Sequence, residues 1–84
     1  MNKRIGFIGI IVEDKCCVRD LNELLSQYGH LIVGRMGIPH HRSVNVIVVI
    51  IEGNNDEIGA FTGKLGSVKG LIVRSALSSY TITE

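Results

Sequence analysis

The sequence has 84 residues, of which 45% are apolar and 5% aromatic, and its formal net charge is +1. This length suits a single domain, residues 1–84, and the scattered Lys and Arg residues argue against a strongly basic nucleic-acid-binding surface. The two Cys residues are adjacent, which argues against a disulfide framework because neighbouring Cys residues seldom pair. A domain this short has a marginal core, so we expect oligomerisation to supplement it.

The N-terminal segment has the outline of a signal peptide, because Lys3 and Arg4 precede an apolar run at residues 5–12. That run ends in the charged residues 13–15 with no small-residue cleavage site. The apolar run at residues 46–51 is far shorter than the roughly 20 residues of a membrane helix. We therefore expect a soluble, cytoplasmic protein.

The first half of the chain predicts a strand, a helix and a second strand. Residues 4–12 are β-branched and apolar, as in a strand, and residues 30–37 predict another. Between them, residues 15–28 have helical periodicity, with Asp14 as N-cap and Gly29 as a C-terminal residue free to take positive φ. The apolar stripe of this helix consists of Val18, Leu21, Leu25 and Tyr28.

The second half repeats this order. Pro39 and the polar residues 40–43 predict a loop, which residues 44–52 follow as the most apolar strand of the chain. A helix then begins with Asn54 as N-cap and ends at Gly66, and its apolar positions are Ile58, Phe61 and Leu65. Residues 70–78 predict the last strand, and residues 79–84 an extension or frayed tail.

The element order is therefore βαββαβ, and an internal repeat supports it. With a shift of 40 residues, residues 10–11 match 50–51, Leu25 matches Leu65, and residues 31–33 match 71–73. Two βαβ halves are typical of an α+β, ferredoxin-like βαββαβ two-layer sandwich, in which an antiparallel sheet carries both helices on one face. We expect the first and third strands to be central.

Both faces of the predicted central strands are apolar. Ile5, Phe7 and Ile11 alternate with Ile8, Ile10 and Val12 on the first strand, and the third strand has the same pattern. A sheet with helices on one face should be polar on the other, so we expect a second subunit to cover the open face. The candidate residues for this homo-oligomer interface are Ile8, Ile10, Val46, Val48 and Ile50.

Two glycine and cysteine patterns do not support known sites. Gly6 and Gly9 lie inside a strand rather than at the strand-to-helix turn that binds a dinucleotide, and the turn itself is acidic. Cys16 and Cys17 lack the Cys-x-x-Cys spacing of heavy-metal-binding domains. A Cys at a helix N-terminus can have a lowered pKa, but a buried Cys17 and an incidental Cys16 are the preferred interpretation.

The second strand and its loop carry one group of candidate ligand-binding residues. His40 and His41 are weak candidates for a metal site, since a closed site needs three or four ligands and no others are evident nearby. Together with Arg35 and Arg42 they form either a solvated cationic loop or an anion-binding patch at a subunit boundary. Gly37 lies in the same segment.

The second helix carries the other group. Gly59, Ala60 and Gly63 make one side of it small, and each helical Gly costs about 1 kcal/mol relative to Ala. This cost indicates either tight packing of the helix or close approach by a ligand or another subunit, with Thr62 beside the stripe. The sequence shows no catalytic constellation, so we expect no enzymatic activity, no catalytic residues and no cofactor.

Three segments resemble a family of small bacterial proteins named the iron-only hydrogenase system regulators: residues 5–14 (IGxIGIIVED), 34–39 (GRMGIP) and 62–66 (TGKLG). These proteins are similar in fold to ACT domains and to the C-terminal domain of the nickel-responsive regulator. The resemblance implies a ferredoxin-like (ACT-like) homo-oligomer, a dimer or a dimer-based tetramer, with a regulatory role linked to hydrogenase expression or maturation.

The nickel-responsive regulator binds metal through a His on the second strand and a His-x-His and a Cys on the third. Residues 44–52 contain neither His nor Cys, so this site is not reproduced. The chain also lacks the DNA-binding domain of that regulator, and we do not expect direct DNA binding. The resemblance to ACT domains favours a small-molecule effector or a partner protein. The alternative is a nickel- or iron-responsive regulator or metal carrier that uses His40 and His41.

Overall fold

The computed structural model describes the backbone of residues 2–41 and 44–83 and the side chains of residues 3–37 and 44–79. Within these ranges the chain forms one four-stranded sheet and two helices. Short 3-10 turns precede and follow the first helix, at Lys15–Cys17 and Gly29–Leu31. The elements are β1 (Asn2–Val12), α1 (Val18–Gln27), β2 (Ile32–His41), β3 (Val44–Gly53), α2 (Asn55–Gly66) and β4 (Leu71–Thr83).

The strands lie in the order β2-β3-β1-β4, and every neighbouring pair is antiparallel. This is the ferredoxin-like βαββαβ sandwich, so the predicted fold class is confirmed. The two most apolar strands, β1 and β3, are central as expected, because only central strands have neighbours on both edges.

The core lies between one face of the sheet and the two helices. Alternate residues of β1 and β3 point into it and meet the apolar stripes of α1 and α2. Phe61 is fully buried at its centre and stacks on Tyr28, with ring centroids 4.8 Å apart. The buried residues are Ile8, Ile10, Val12, Cys17, Leu21, Leu25, Leu31, Val49, Ile51, Ile58, Phe61 and Leu65.

Both predicted N-caps are confirmed. Asp14 Oδ1 accepts a hydrogen bond from the Cys16 amide at 2.9 Å, at the start of the 3-10 turn that leads into α1. Asn54 Oδ1 accepts from the Glu57 amide at 2.8 Å. Each side chain satisfies an amide that has no partner within its own helix.

The glycine with positive φ is not the predicted one. Gly29 opens a 3-10 turn, so the chain keeps a right-handed conformation after α1. Among the described glycines, Gly70 takes positive φ, at 92°, in the connection from α2 to β4. A Cβ at Gly70 would lie 2.7 Å from Cβ of Asp14, so this position requires glycine both for its conformation and for space.

Two predicted irregular segments are strands. β2 continues to His41, so Pro39 does not lie in a loop, and β4 continues to Thr83. The pairing of β2 with β3 is irregular between Ile38 and His41, and β2 is an edge strand. Proline is tolerated there because its missing N–H removes no ladder bond. The predicted loop residues Arg42 and Ser43 lie outside the described residues.

Neither helix in the described part of the chain has the length and apolar character that crossing a membrane requires.

Candidate functional site

The face of the sheet opposite the helices is apolar and exposed, as predicted. Cross-strand pairing places Phe7 directly beside Ile50, and Met36 beside Val48. Relative exposure is 47% for Phe7, 69% for Met36 and 39% for Ile50. We call this surface the open face, and its described apolar side chains are Ile5, Phe7, Ile11, Met36, Val44, Val46, Val48, Ile50, Ile72 and Ala76.

The structure divides the predicted interface residues between the two faces. Val46, Val48 and Ile50 lie on the open face, whereas Ile8 and Ile10 point into the core and are 0% exposed. Ile8 and Ile10 therefore cannot contact a second subunit there. The open-face residues of β1 are those of the other parity, beginning with Ile5 and Phe7, because the even-numbered set meets the helices.

The open face carries three charged side chains among the described residues, and one of them, Lys3, lies at the start of β1 one alternation beyond Ile5. Glu52 extends from β3 in the row of Ile5, and Arg74 extends from β4 in the row of Gly9. The Arg74 guanidinium donates to the carbonyl oxygen of Val73 at 2.8 Å. None of these three charges was among the predicted site residues, although charges at the ends of or inside otherwise apolar strands were the available signal.

The predicted ligand-binding residues are not brought together within one chain. Arg35 and Gly37 lie in edge strand β2, whereas Gly59, Thr62 and Gly63 lie in α2. Helix α2 packs mainly against β4, β3, β1 and α1, and β2 is not among its main neighbours. The side chains of His40 and His41 lie outside the described residues.

The small side of α2 faces open space. A Cβ added at Gly59 or at Gly63 would meet nothing within 4 Å, so tight packing of the helix inside the chain does not explain these glycines. The Thr62 hydroxyl donates to backbone oxygens of its own helix, 3.0 Å from Ile58 O and 3.2 Å from Gly59 O.

A cleft of about 570 Å³ opens beside the start of α1, where sequence analysis expected only an acidic loop. It lies between the β1–α1 loop, α1 and the α2–β4 connection. Three acidic side chains, Asp14, Asp20 and Glu23, and one basic side chain, Lys69, line it. Its lining residues are Asp14, Cys16, Cys17, Asp20, Glu23, Leu24, Gln27, Ser67, Val68 and Lys69.

The exposed thiol in this cleft, that of Cys16, is not activated. A hydrogen bond that the thiol donates to the Asp14 carboxylate, together with the negative charge of that carboxylate, raises the pKa of Cys16 above its ordinary value. Cys16 is exposed and Cys17 is buried, which confirms the predicted burial of Cys17. In turn, the backbone amide of Cys16 lowers the pKa of Asp14. The helix N-terminus thus stabilises the carboxylate rather than a thiolate.

Among the described residues, no three His, Cys, Asp or Glu side chains are grouped so that they could hold a metal ion. His30 Nε2 lies 3.2 Å from Glu57 Oε2, and its ring stacks on Tyr28. Lys64 Nζ lies 5.4 Å from the centre of the Tyr28 ring. These contacts tie the segment after α1 to α2.

Residues 4–75 match the model of the TM1266-like family, which is provisionally described as regulators of the iron-only hydrogenase system. The chain belongs to this family. The solved structure of the uncharacterized protein TM1266 from Thermotoga maritima is 32% identical to it, with a TM-score of 0.83. The match covers 89% of this chain and 96% of TM1266.

A second solved structure is CPII, a nitrogen regulatory PII-like protein from Thiomonas intermedia K12, bound to ADP, AMP and bicarbonate. It is 13% identical, covers 95% of this chain and 96% of CPII, and has a TM-score of 0.48. We draw no functional inference from so distant a likeness. No curated protein matches the sequence. The match to the TM1266-like family model confirms the predicted family.

Proposed function

We propose that this chain is a non-enzymatic regulatory module of the iron-only hydrogenase system. It acts in the cytoplasm as a homo-oligomer joined through the open face, and it senses a small-molecule effector or binds a partner protein at the subunit boundary. Membership of the TM1266-like family supports the regulatory role. The observation that carries the proposal is the exposure of Phe7, Met36 and Ile50 on one sheet face.

The size of the open face suits a stable interface. Four strands about 4.8 Å apart and about ten residues long cover roughly 650 Å² of flat sheet, before side-chain relief is added. A standard protein interface buries about 800 Å² on each partner. Full burial of a large apolar side chain contributes about 1.5–3 kcal/mol. The side chains of Phe7, Met36 and Ile50 are already partly covered, so burial in an interface adds about 1 kcal/mol for each.

One observation supports a role without catalysis: the Cys16 thiol has a raised pKa and is a weak nucleophile at neutral pH. A second supports ligand binding where subunits meet: the described ligand-binding candidates lie on two separate elements, β2 and α2, which a subunit boundary would bring together.

Size-exclusion chromatography with light scattering tests the oligomer. The wild type should elute as a dimer or larger at micromolar concentration, and Phe7→Lys should dissociate it because a cation would be buried in the apolar face. The matched control is Asn22→Lys, which adds the same charge on the exposed side of α1 and should leave the mass unchanged. A wild-type monomer at micromolar concentration would contradict the proposal.

A thermal-shift screen against amino acids, nucleotides and divalent metals tests effector binding. An effector at 100 times its Kd stabilises the folded state by about 2.7 kcal/mol, which raises Tm measurably. A metal-dependent rise that is lost in His40→Ala/His41→Ala would contradict the small-molecule proposal in favour of metal sensing. No response to any compound would leave protein–protein binding as the regulatory activity.

A further inference from the structure

The open face is a grid whose rows are fixed by strand register. One row contains Glu52 on β3 and Ile5 on β1, and the next contains Gly34, Ile50, Phe7 and Ala76 on β2, β3, β1 and β4. The third row contains Met36, Val48, Gly9 and Arg74, and the fourth contains Val46, Ile11 and Ile72. When the sheet is treated as flat, this register gives each residue an approximate place across the strands and along them.

Two of the three open-face charges, Glu52 and Arg74, lie within these four rows, whereas Lys3 lies beyond the first row at the start of β1. The two charges within the rows restrict how a second copy can lie on the face. Glu52 and Arg74 are in different rows and on different strands, and neither forms an ion pair with another described side chain. Burying either charge without a partner would oppose association. A dimer that brings them together across the interface avoids this cost.

Stacked sheets cross at about 30° or about 90°. In a symmetric face-to-face pair the two-fold axis lies in the plane between the two sheets. It runs along the strands, across them, or along one of the two diagonals at 45° to them. With strands about 4.8 Å apart and rows about 6.8 Å apart, Glu52 lies about 2.4 Å across and 10 Å along from the centre of the grid. Arg74 lies about 7 Å across and 3.4 Å along from that centre.

Rotation about one of the two diagonal axes exchanges a residue's offset across the strands with its offset along them. It places Glu52 of the partner subunit about 10 Å across and 2.4 Å along, within about 3 Å of the Arg74 position in projection. An axis along the strands instead places Arg74 over the partner subunit's Met36. An axis across them places it over the partner subunit's Ala76, and the second diagonal axis leaves both charges over apolar or glycine positions.

The same diagonal axis also matches side chains to gaps. It places Ile50 over Gly9 of the partner subunit and Ile11 over Gly34 of the partner subunit. A Cβ at Gly34 would meet nothing within 4 Å, and one at Gly9 would meet only the Arg74 carbonyl oxygen at 3.8 Å. Within its own chain neither glycine is required by space, although glycine weakens a strand. The axes along and across the strands also place a side chain over each of these glycines, so the choice of this operator rests on the charge match.

We propose that two copies stack their open faces with strands crossing near 90°, so that Arg74 of each copy pairs with Glu52 of the partner subunit. This arrangement specifies the geometry of the homo-oligomer in the proposed function and depends on it. It gives a closed, isologous dimer with two equivalent ion pairs and an apolar centre in which Phe7 and Val48 lie close to the axis.

Charge reversal with rescue tests this pairing. Dimer dissociation constants are measured by analytical ultracentrifugation at 150 mM salt, a concentration at which exposed charges are screened beyond about 8 Å. Arg74→Glu and Glu52→Arg should each weaken the dimer about tenfold or more, because each creates a repulsive contact. The double variant restores opposite charges and should return to within about threefold of wild type.

The matched control uses the exposed pair Arg19 and Glu23 on α1, whose Nε and Oε1 atoms lie 4.0 Å apart. Arg19→Glu and Glu23→Arg make the same changes away from the open face and should leave dimerisation unchanged. Circular dichroism checks that each variant is folded. If a reversal variant does not fold, Arg74→Gln and Glu52→Gln replace it, and the double Gln variant should weaken the dimer no more than either single one.

Single reversals without effect, or a double variant as weak as the singles, would overturn the pairing. If Phe7→Lys still dissociates the wild-type dimer in that case, the open face remains the interface and only this geometry is wrong. A monomeric wild type would instead overturn both the proposed function and this pairing. Gly34→Val tests the open face as the interface, since it should fill the gap and weaken the dimer while the chain stays folded.

Discussion

The Arg4 guanidinium donates two hydrogen bonds to the carbonyl oxygen of Ser78, from Nε at 2.9 Å and from Nη2 at 2.7 Å. The pairing of β1 with β4 shifts register between Arg4 and Gly6, beside this contact. Arg4 Nη1 also lies 3.5 Å from Asn55 Oδ1, at the start of α2. The arginine therefore joins the irregular part of β4 to the helix layer.

Removing this contact should destabilise the fold. We expect Arg4→Met to lower the free energy of unfolding by about 1 kcal/mol, because the Ser78 carbonyl loses two charge-assisted bonds at a largely exposed site. Lys3→Met is the matched control, since Lys3 is exposed and adjacent in sequence. Urea denaturation measures both. An equal change in the two variants would show that the Ser78 contact contributes nothing.

Two glycine-to-alanine changes should have opposite effects. Gly70→Ala should destabilise the fold by about 1–3 kcal/mol, because alanine must adopt φ near 92° and its Cβ would crowd Asp14. Gly63→Ala, in an exposed helical position with free space, should stabilise the fold by about 0.5–1 kcal/mol. Thermal unfolding compares the two directly, and a Gly70→Ala variant as stable as wild type would contradict the requirement for glycine.

The contact between Asp14 and Cys16 should be visible in thiol chemistry. Asp14→Asn removes the carboxylate that raises the pKa of Cys16, so the thiol should ionise at lower pH and react faster with iodoacetamide at pH 8. Cys17 is buried and should contribute little. Asp20→Asn, in the same cleft, is the control. An unchanged pH profile of alkylation would refute the contact.

The same carboxylate gives a pH dependence of stability. The pKa of Asp14 is lower in the folded state than its ordinary value of 3.8, because the Cys16 amide stabilises the ionised form. Its contribution is therefore fully present above the unfolded pKa and is lost as the pH falls through the folded pKa. The stability difference between wild type and Asp14→Asn should be largest near neutral pH and vanish in strong acid, as denaturation at several pH values can show.

The helix periodicities and caps were predictable because they depend on local spacing. Asn54 and Glu57 stand three residues apart, and that spacing alone brings the side chain of one to the amide of the other. The choice between Gly29 and Gly70 was not local. It depends on the approach of the α2–β4 connection to Asp14, 56 positions away along the chain (70 − 14).

The extent of β2 was also beyond local rules. Pro39 and the polar residues after it have loop-like composition, yet β2 continues to His41 because β3 provides pairing partners on one edge. The acidic cleft has the same origin. Asp14 and Lys69 are distant in sequence and line one space because α1 and the α2–β4 connection pack side by side.

The sequence by itself determined the order of elements, the helix caps, the family and the apolar character of both sheet faces. Only the tertiary structure decided that Ile8 and Ile10 enter the core while Phe7 and Ile50 remain on the open face. A strand whose two alternating sets are both apolar has no local preference for one face over the other. The helices make that choice when they cover one face, and they leave the other apolar and exposed.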